Sequence, residues 1–114
     1  MAERRMFAKR ITESDEFLEL SKTSQCLYLH LCMYADDDGF MNNAKTIIRA
    51  IGASQSDFDE LKQNGYIMEF SSGVILITHW KIHNYIQKDR YRPTTFTNER
   101  EQVELVYNSA YVLK

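Results

Sequence analysis

Two helical patterns in this sequence meet across a link of only two residues, Gly52 and Ala53, and that link narrows the choice of fold more than any other feature. The first pattern starts near Asn43, sets Ile47, Ile48 and Ile51 on one face, and stops at Gly52, the residue type that most readily ends a helix in the left-handed conformation. The second restarts at once. Ser54 is its N-cap, Asp57 stands three residues on as an acidic version of the capping box, Phe58 and Leu61 supply the inner face, and Gly65 ends it. Helices joined this closely must turn sharply against each other, which is the mark of a helix-turn-helix.

The flanking segments extend the pattern. Ser14 followed by Asp15, Glu16, Phe17, Leu18 and Leu20 predicts a short capped helix. From about Lys22 to Ala35 the apolar residues Cys26, Leu27, Leu29, Leu31, Met33 and Tyr34 cover much of the circumference, as in a helix buried in the middle of a domain. Asp36 to Gly39 punctuates the chain, and Phe40 to Asn42 has room for a short strand or turn. Ile67 to Phe70 and Val74 to Thr78 are β-rich and joined by Ser71, Ser72 and Gly73, which predicts a hairpin. Helix, short strand, helix, turn, helix, hairpin is the order of a winged helix. The expected fold class is therefore α+β, mainly helical: a winged helix-turn-helix with a two-stranded wing and an extra C-terminal helix.

The length of 114 residues fits a single domain, 1–114, with its core at about 13–80. With 1 Pro and 4 Gly there is little material for a turn-rich sandwich, so helix should dominate. The expected core comprises Cys26, Leu27, Leu31, Ile47, Ile48, Ile51, Phe58, Leu61, Ile75, Ile77 and Trp80. A basic, aromatic strap follows over 81–96. Asn98, with Glu101 at the capping-box position, then starts a last helix over 98–110 with Val103, Val106, Tyr107 and Ala110 as its inner stripe.

Apolar runs such as Val74 to Ile77 are far short of the roughly 20 residues that span a bilayer, and the N-terminus lacks an apolar signal region. A cytoplasmic protein without a membrane role is expected. Cys26 and Cys32 project about 120° apart on one helix and cannot bridge each other. They read as reduced core thiols. A ligand set of Cys26, His30 and Cys32 is the sharper alternative, but zinc sites usually pair two close cysteines with a second pair elsewhere.

Charge is unevenly distributed along a chain whose net charge is −2. Residues 1–10 carry Arg4, Arg5, Lys9 and Arg10 against Glu3, residues 13–69 have a balance of −7, and residues 79–92 carry Lys81, Lys88, Arg90 and Arg92 against Asp89. Two basic segments flanking an acidic body suggest a localised anionic partner. The strap interleaves cations, amides, hydroxyls and rings as nucleic-acid contacts require, and Lys81, His83, Asn84, Lys88, Arg90 and Arg92 are its candidates. Tyr85 and Tyr91 are expected to pack on the core. The second helix of the helix-turn-helix offers Gln55, Lys62, Gln63 and Asn64 for reading bases, against the repulsion of Asp57, Asp59 and Glu60. Its competing use is a protein contact surface.

Catalytic patterns are absent. Asp36, Asp37 and Asp38 lack the later bidentate Glu of a calcium loop and read as a solvated helix exit. His79 and His83 have no Glu between them to complete a metalloprotease motif, so they read as surface or phosphate-contacting residues. Neither a phosphate-cradling glycine loop nor a nucleophile elbow occurs. No catalytic residue, metal or cofactor is expected.

The run Ala35 to Phe40 (ADDDGF), the turn Ile51-Gly52-Ala53-Ser54, the strand leading into His79-Trp80, and Asn84-Tyr85-Ile86 with Lys88-Asp89-Arg90-Tyr91 and Thr94 resemble the N-terminal domain of phage replisome organiser proteins. These are similar to the DnaD-type primosome proteins of low-GC Gram-positive bacteria. The resemblance implies a winged-helix domain of a replication-initiation protein acting at a phage or prophage origin in a bacterial host. Its implied partners are origin DNA and the replicative helicase or helicase loader. Such proteins usually carry a second, C-terminal helical domain, so the chain is expected to be a short homologue or the N-terminal part of a longer protein. The resemblance also implies self-assembly, and a content of 7 Tyr and 5 Met, types favoured at interfaces, points the same way to a homo-oligomer.

Overall fold

Ser14 and Ser21 each start a helix by accepting a backbone hydrogen bond three residues ahead, and these two caps set the N-terminal half of the molecule. The computed structural model describes residues 3–114, so positions 1 and 2 of the expected domain lie outside the described residues. Two one-turn helices, α1 (Lys9–Thr12) and α2 (Asp15–Leu18), lead into the longest helix, α3 (Lys22–Tyr34). A short strand β1 (Phe40–Met41) precedes α4 (Ala44–Ile51), which ends at Gly52 with φ 74°. After Ala53, α5 (Gln55–Gln63) begins with a complete capping box between Ser54 and Asp57. The hairpin strands β2 (Ile67–Glu69) and β3 (Ile75–Ile77) join β1 in one antiparallel sheet of order β1-β3-β2. Phe40 stands opposite Leu76, and Ile67 opposite Ile77. The fold is α+β, and the expected two-strand hairpin gains β1 as a third strand. As the central strand, β3 buries Ile75, Leu76 and Ile77 on both of its faces, which explains its unbroken apolar run.

Beyond β3 come a short α6 (Trp80–His83), the strap, a one-turn α7 (Thr97–Arg100), and a second hairpin of β4 (Val103–Leu105) and β5 (Tyr111–Leu113). The helix expected over 98–110 is therefore corrected to one turn followed by two strands. Val103, Val106, Tyr107 and Ala110 have helical spacing, but turn chemistry outweighs it. Ser109 takes the left-handed conformation at φ 69°, and Asn108 Oδ1 accepts from Ala110 N–H at 3.1 Å. Tyr111 then fixes the hairpin to the body, its N–H donating to the Thr78 carbonyl and its hydroxyl to the Asp38 carbonyl.

The core contains Leu27, Leu31, Ile47, Phe58, Leu61, Ile75, Ile77 and Trp80 as expected, with Ile48 and Ile51 packed at its edge. Rings contribute more than the sequence suggests: Phe17, Tyr28 and Tyr66 meet edge to face at centroid distances of 5.2 to 5.8 Å. The assignment of Cys26 to the core is corrected, because α3 turns Leu27, Tyr28, Leu31 and Cys32 inward and leaves Cys26, Leu29, His30, Met33 and Tyr34 outside. Burial pushes the Cys32 thiol up to about 12, so it stays protonated. Cys26 and Cys32 thus lie on different sides of the helix, and among the described residues no three His, Cys, Asp or Glu side chains gather as a metal set. No helix among them is long and apolar enough to cross a membrane.

Leu31 is fully buried on α3, and truncation to Ala is expected to lower unfolding free energy by about 2–5 kcal/mol. Cys26→Ser, on the outer face, should stay within about 0.5 kcal/mol of the parent. Urea midpoints measure both, and a parental midpoint for Leu31→Ala would remove α3 from the core.

Candidate functional site

Three consecutive carboxylates and one glycine organise the region where α3, the strap and the N-terminal segment converge. The expectation that Asp36, Asp37 and Asp38 form a solvated helix exit is corrected: each accepts hydrogen bonds from remote parts of the chain. Asp38 is 3% exposed. Its carboxylate receives Lys81 Nζ at 2.8 Å, the Tyr91 hydroxyl at 2.7 Å and Thr94 N–H at 2.8 Å. Burial alone would raise its pKa, but the donors Lys81, Tyr91 and Thr94 and the Lys81 charge together hold it below the ordinary value. Asp36 Oδ1 ties its own turn through Asp38 N–H and Phe40 N–H, while Oδ2 accepts from the Thr94 hydroxyl. Asp37 accepts from Arg5 Nη1 at 3.3 Å and Arg92 N–H at 3.0 Å, and its carbonyl receives Trp80 Nε1 at 3.0 Å. Gly39 permits the close approach, since it sits at φ 95° and a Cβ there would lie 2.6 Å from Trp80 Cβ.

The N-terminal segment is held from the other side. Asn84 Oδ1 accepts from Met6 N–H at 2.8 Å, and His83 Nδ1 accepts from Ala8 N–H at 2.9 Å. The neutral His83 ring therefore carries its proton on Nε2, 2.7 Å from the Tyr28 hydroxyl. Burial, and next the neighbouring His79, pushes His83 down to about 4. Lys81, His83 and Asn84, candidates for nucleic-acid contact, also hold the fold together through these internal bonds. The Arg5 guanidinium stacks 4.9 Å over Trp80 and donates to the Ala35 carbonyl at 2.8 Å. Among the described residues, Arg5 Nε and Asn84 Nδ2 are buried donors without an acceptor.

Above these groups runs a groove of about 1010 Å³ between the N-terminal segment, the end of α3 and the strap. Arg4, Arg90 and Arg92 line it, and Tyr34 and Tyr85 present rings to it. Both acids that line it, Asp36 and Asp37, are already engaged by internal donors. Tyr85, expected on the core, is 71% exposed because Asn84 takes the inward position beside it. Tyr91 is about half-way, with its hydroxyl inside on Asp38 and its ring at the surface. Lys88 is exposed on the strap but outside the groove lining. The amides of Asn42, Asn43 and Gln87 also line the groove, and sequence reasoning missed them together with Tyr34. The available signal was charge: a basic N-terminal lead and a basic strap have to be seated somewhere, and an acidic triplet is the natural seat for both.

The remaining candidates on α5 lie elsewhere and are largely engaged. Gln55 donates to Asp59, Lys62 pairs with Glu69 at 2.9 Å, and Asn64 donates to the Glu60 carbonyl. Gln63 is exposed. Asp57 and Glu60 accept from Ser21 and Ser24 and so bind α5 to the start of α3. The Ser54 backbone N–H, foremost among several donors, holds Asp57 below the ordinary carboxylate range. Comparison of the chain with protein-family models, curated proteins and solved structures returned no match.

Asp38→Ala leaves Lys81, the Tyr91 hydroxyl and Thr94 N–H unsatisfied and is expected to destabilise by about 3 kcal/mol, while the exposed Asp89→Ala should be neutral. The same groups fix the pH response. His83 binds its proton near 6.5 when unfolded and near 4 when folded, so stability is complete above 6.5 and falls as pH drops towards 4. The Asp38 contribution is full above 3.8 and is lost only as pH falls through its lower folded value. Urea midpoints should therefore decline between pH 6.5 and 4, and His83→Gln should flatten that decline.

Proposed function

We propose that the chain is a winged-helix DNA-binding domain of a phage or prophage replication-initiation protein, gripping the DNA backbone through the strap groove. The observation that carries this reading is the charge of the groove: Arg4, Arg90 and Arg92 face it while its two acids are engaged internally. An anionic backbone is the ligand such a surface attracts. The element order α3, β1, α4, α5, β2, β3 supports the winged-helix assignment. The place in replication, with origin DNA and a host helicase or loader as partners, rests on the resemblance of the motifs around Asp36 and Asn84.

A second reading, a self-assembly scaffold with little DNA affinity, is favoured by one feature. On α3 the exposed Cys26, Leu29, Met33 and Tyr34 recur at helical spacing, an apolar stripe that a second copy of the chain could cover.

Replacing Arg4, Arg90 and Arg92 by Ala should weaken binding to all DNA sequences by a similar factor. It should also flatten the log-affinity against log-salt slope by about 2 to 3 units. An unchanged slope rejects the groove. Sedimentation of Leu29→Glu/Met33→Glu tests the scaffold, which is supported if oligomers of the parent dissociate and DNA affinity was absent from the start.

A further inference from the structure

Given the nucleic-acid reading above, the geometry points to a single strand as the occupant of the groove: we propose that unpaired bases stack on Tyr85 and Tyr34 while their phosphates meet Arg4, Arg90 and Arg92. Four observations converge on this. The first is the pair of rings. Tyr85 is 71% exposed and Tyr34 46%, they come from different elements, and both line the same cationic groove. Exposed ring faces inside a cationic channel are how proteins hold single strands, because every base offers a face to stack while duplex bases are already stacked on one another.

The second is the amide set of Asn42, Asn43 and Gln87. Amides donate and accept at once, which matches the pairing edges of bases, and those edges are free only when the base is unpaired. The third lies underneath. Arg5 has 2% of its side chain exposed and Asn84 is 3% exposed, yet Arg5 Nε and Asn84 Nδ2 have no acceptor among the described residues. Buried donors are nearly always satisfied, so these two in groove-lining residues give its floor spare hydrogen-bonding capacity for an oxygen such as that of a phosphate or a base carbonyl, although Thr78 Oγ1 and His79 Nδ1 outside the lining are unpaired as well. The fourth is what a duplex would need instead. The helix that would enter a major groove, α5, is acidic, and Gln55, Lys62 and Asn64 are engaged within the chain.

The shared chemistry, stacked bases on an anionic backbone, belongs to single-stranded DNA and RNA alike, and the test separates them. Fluorescence anisotropy of the full chain would use a short labelled oligothymidylate, an oligouridylate and a mixed-sequence duplex. The oligothymidylate should bind tighter than the duplex. Tyr85→Ala should weaken it by about 5- to 150-fold, and Tyr85→Phe, which keeps the ring, should restore it. Duplex affinity, which involves no stacking on the ring, should fall much less with Tyr85→Ala than oligothymidylate affinity does. Tyr85 is on the surface, so the Ala variant should keep the parental urea midpoint, and photocrosslinking of an iodouracil-substituted strand should map to Tyr85 or Tyr34. Duplex binding equal to or tighter than single-strand binding, with no effect of Tyr85→Ala, overturns the single-strand inference and leaves the DNA-binding reading standing. Absence of binding to all three probes overturns both. Preference for the oligouridylate supports the groove as a single-strand site and counts against a role on DNA.

Discussion

A carboxylate removed from water is unfavourable unless several donors replace its hydration, and Asp38 finds them in Lys81, Tyr91 and Thr94. The segments after β3 converge on that replacement. Lys81 follows Trp80 on α6, Tyr91 and Thr94 lie on the strap, and Tyr111 of the last hairpin reaches the Asp38 carbonyl. Trp80 of α6 and Val103 and Tyr111 of the last hairpin also pack in the hydrophobic core, but the strap between them has little apolar surface of its own. Phe96 is only partly buried, and the strap otherwise contributes Thr94 and Asn84 to the interior. Polar satisfaction here replaces the hydrophobic packing that holds α3, α4 and α5 together.

The groove is a by-product of the same arrangement. Arg5 is drawn down onto Asp37 and Trp80, which brings Arg4 to the rim. Asn84 and His83 turn inward to hold Met6 and Ala8, which leaves Tyr85 pointing out. Arg92 gives its backbone N–H to Asp37 and keeps its side chain for the groove. Neighbouring residues of the strap thus hold the fold and face the groove, and the internal acids cancel internal donors without neutralising the exposed cations.

Much of the first eighty residues is legible in sequence because the signals there are local. Gly52, Ser54 and Asp57 define the turn between α4 and α5, and Ser71 to Gly73 the hairpin, through caps and turns that a few neighbouring residues suffice to form. What escapes is decided by partners far along the chain. Three adjacent aspartates look solvated until the donors that reach them are known. Cys26 differs from Cys32 only in which side of α3 the neighbouring elements cover. Val103 and Val106 share spacing with a helix, yet Asn108 and Ser109 supply a turn, and Tyr111 draws the second strand onto the body. His83 Nδ1 and Asn84 Oδ1 are taken up by the backbone of Ala8 and Met6, an engagement that no neighbouring residue in sequence announces.

The donors to Asp38 stand 43 to 73 residues away from it in sequence. Contacts of that range carry a somewhat larger loop-closure penalty than the nearer contacts of α3 with α4 and α5, by about 0.6 kcal/mol for each doubling of the loop. The strap lies over the helical body as a latch of hydrogen bonds with little apolar surface of its own. Segments held by hydrogen bonds with few buried apolar contacts open locally at less cost than global unfolding. Opening of the strap would free Asp36, Asp37 and Asp38 from their strap donors while the hydrophobic core beneath stays closed.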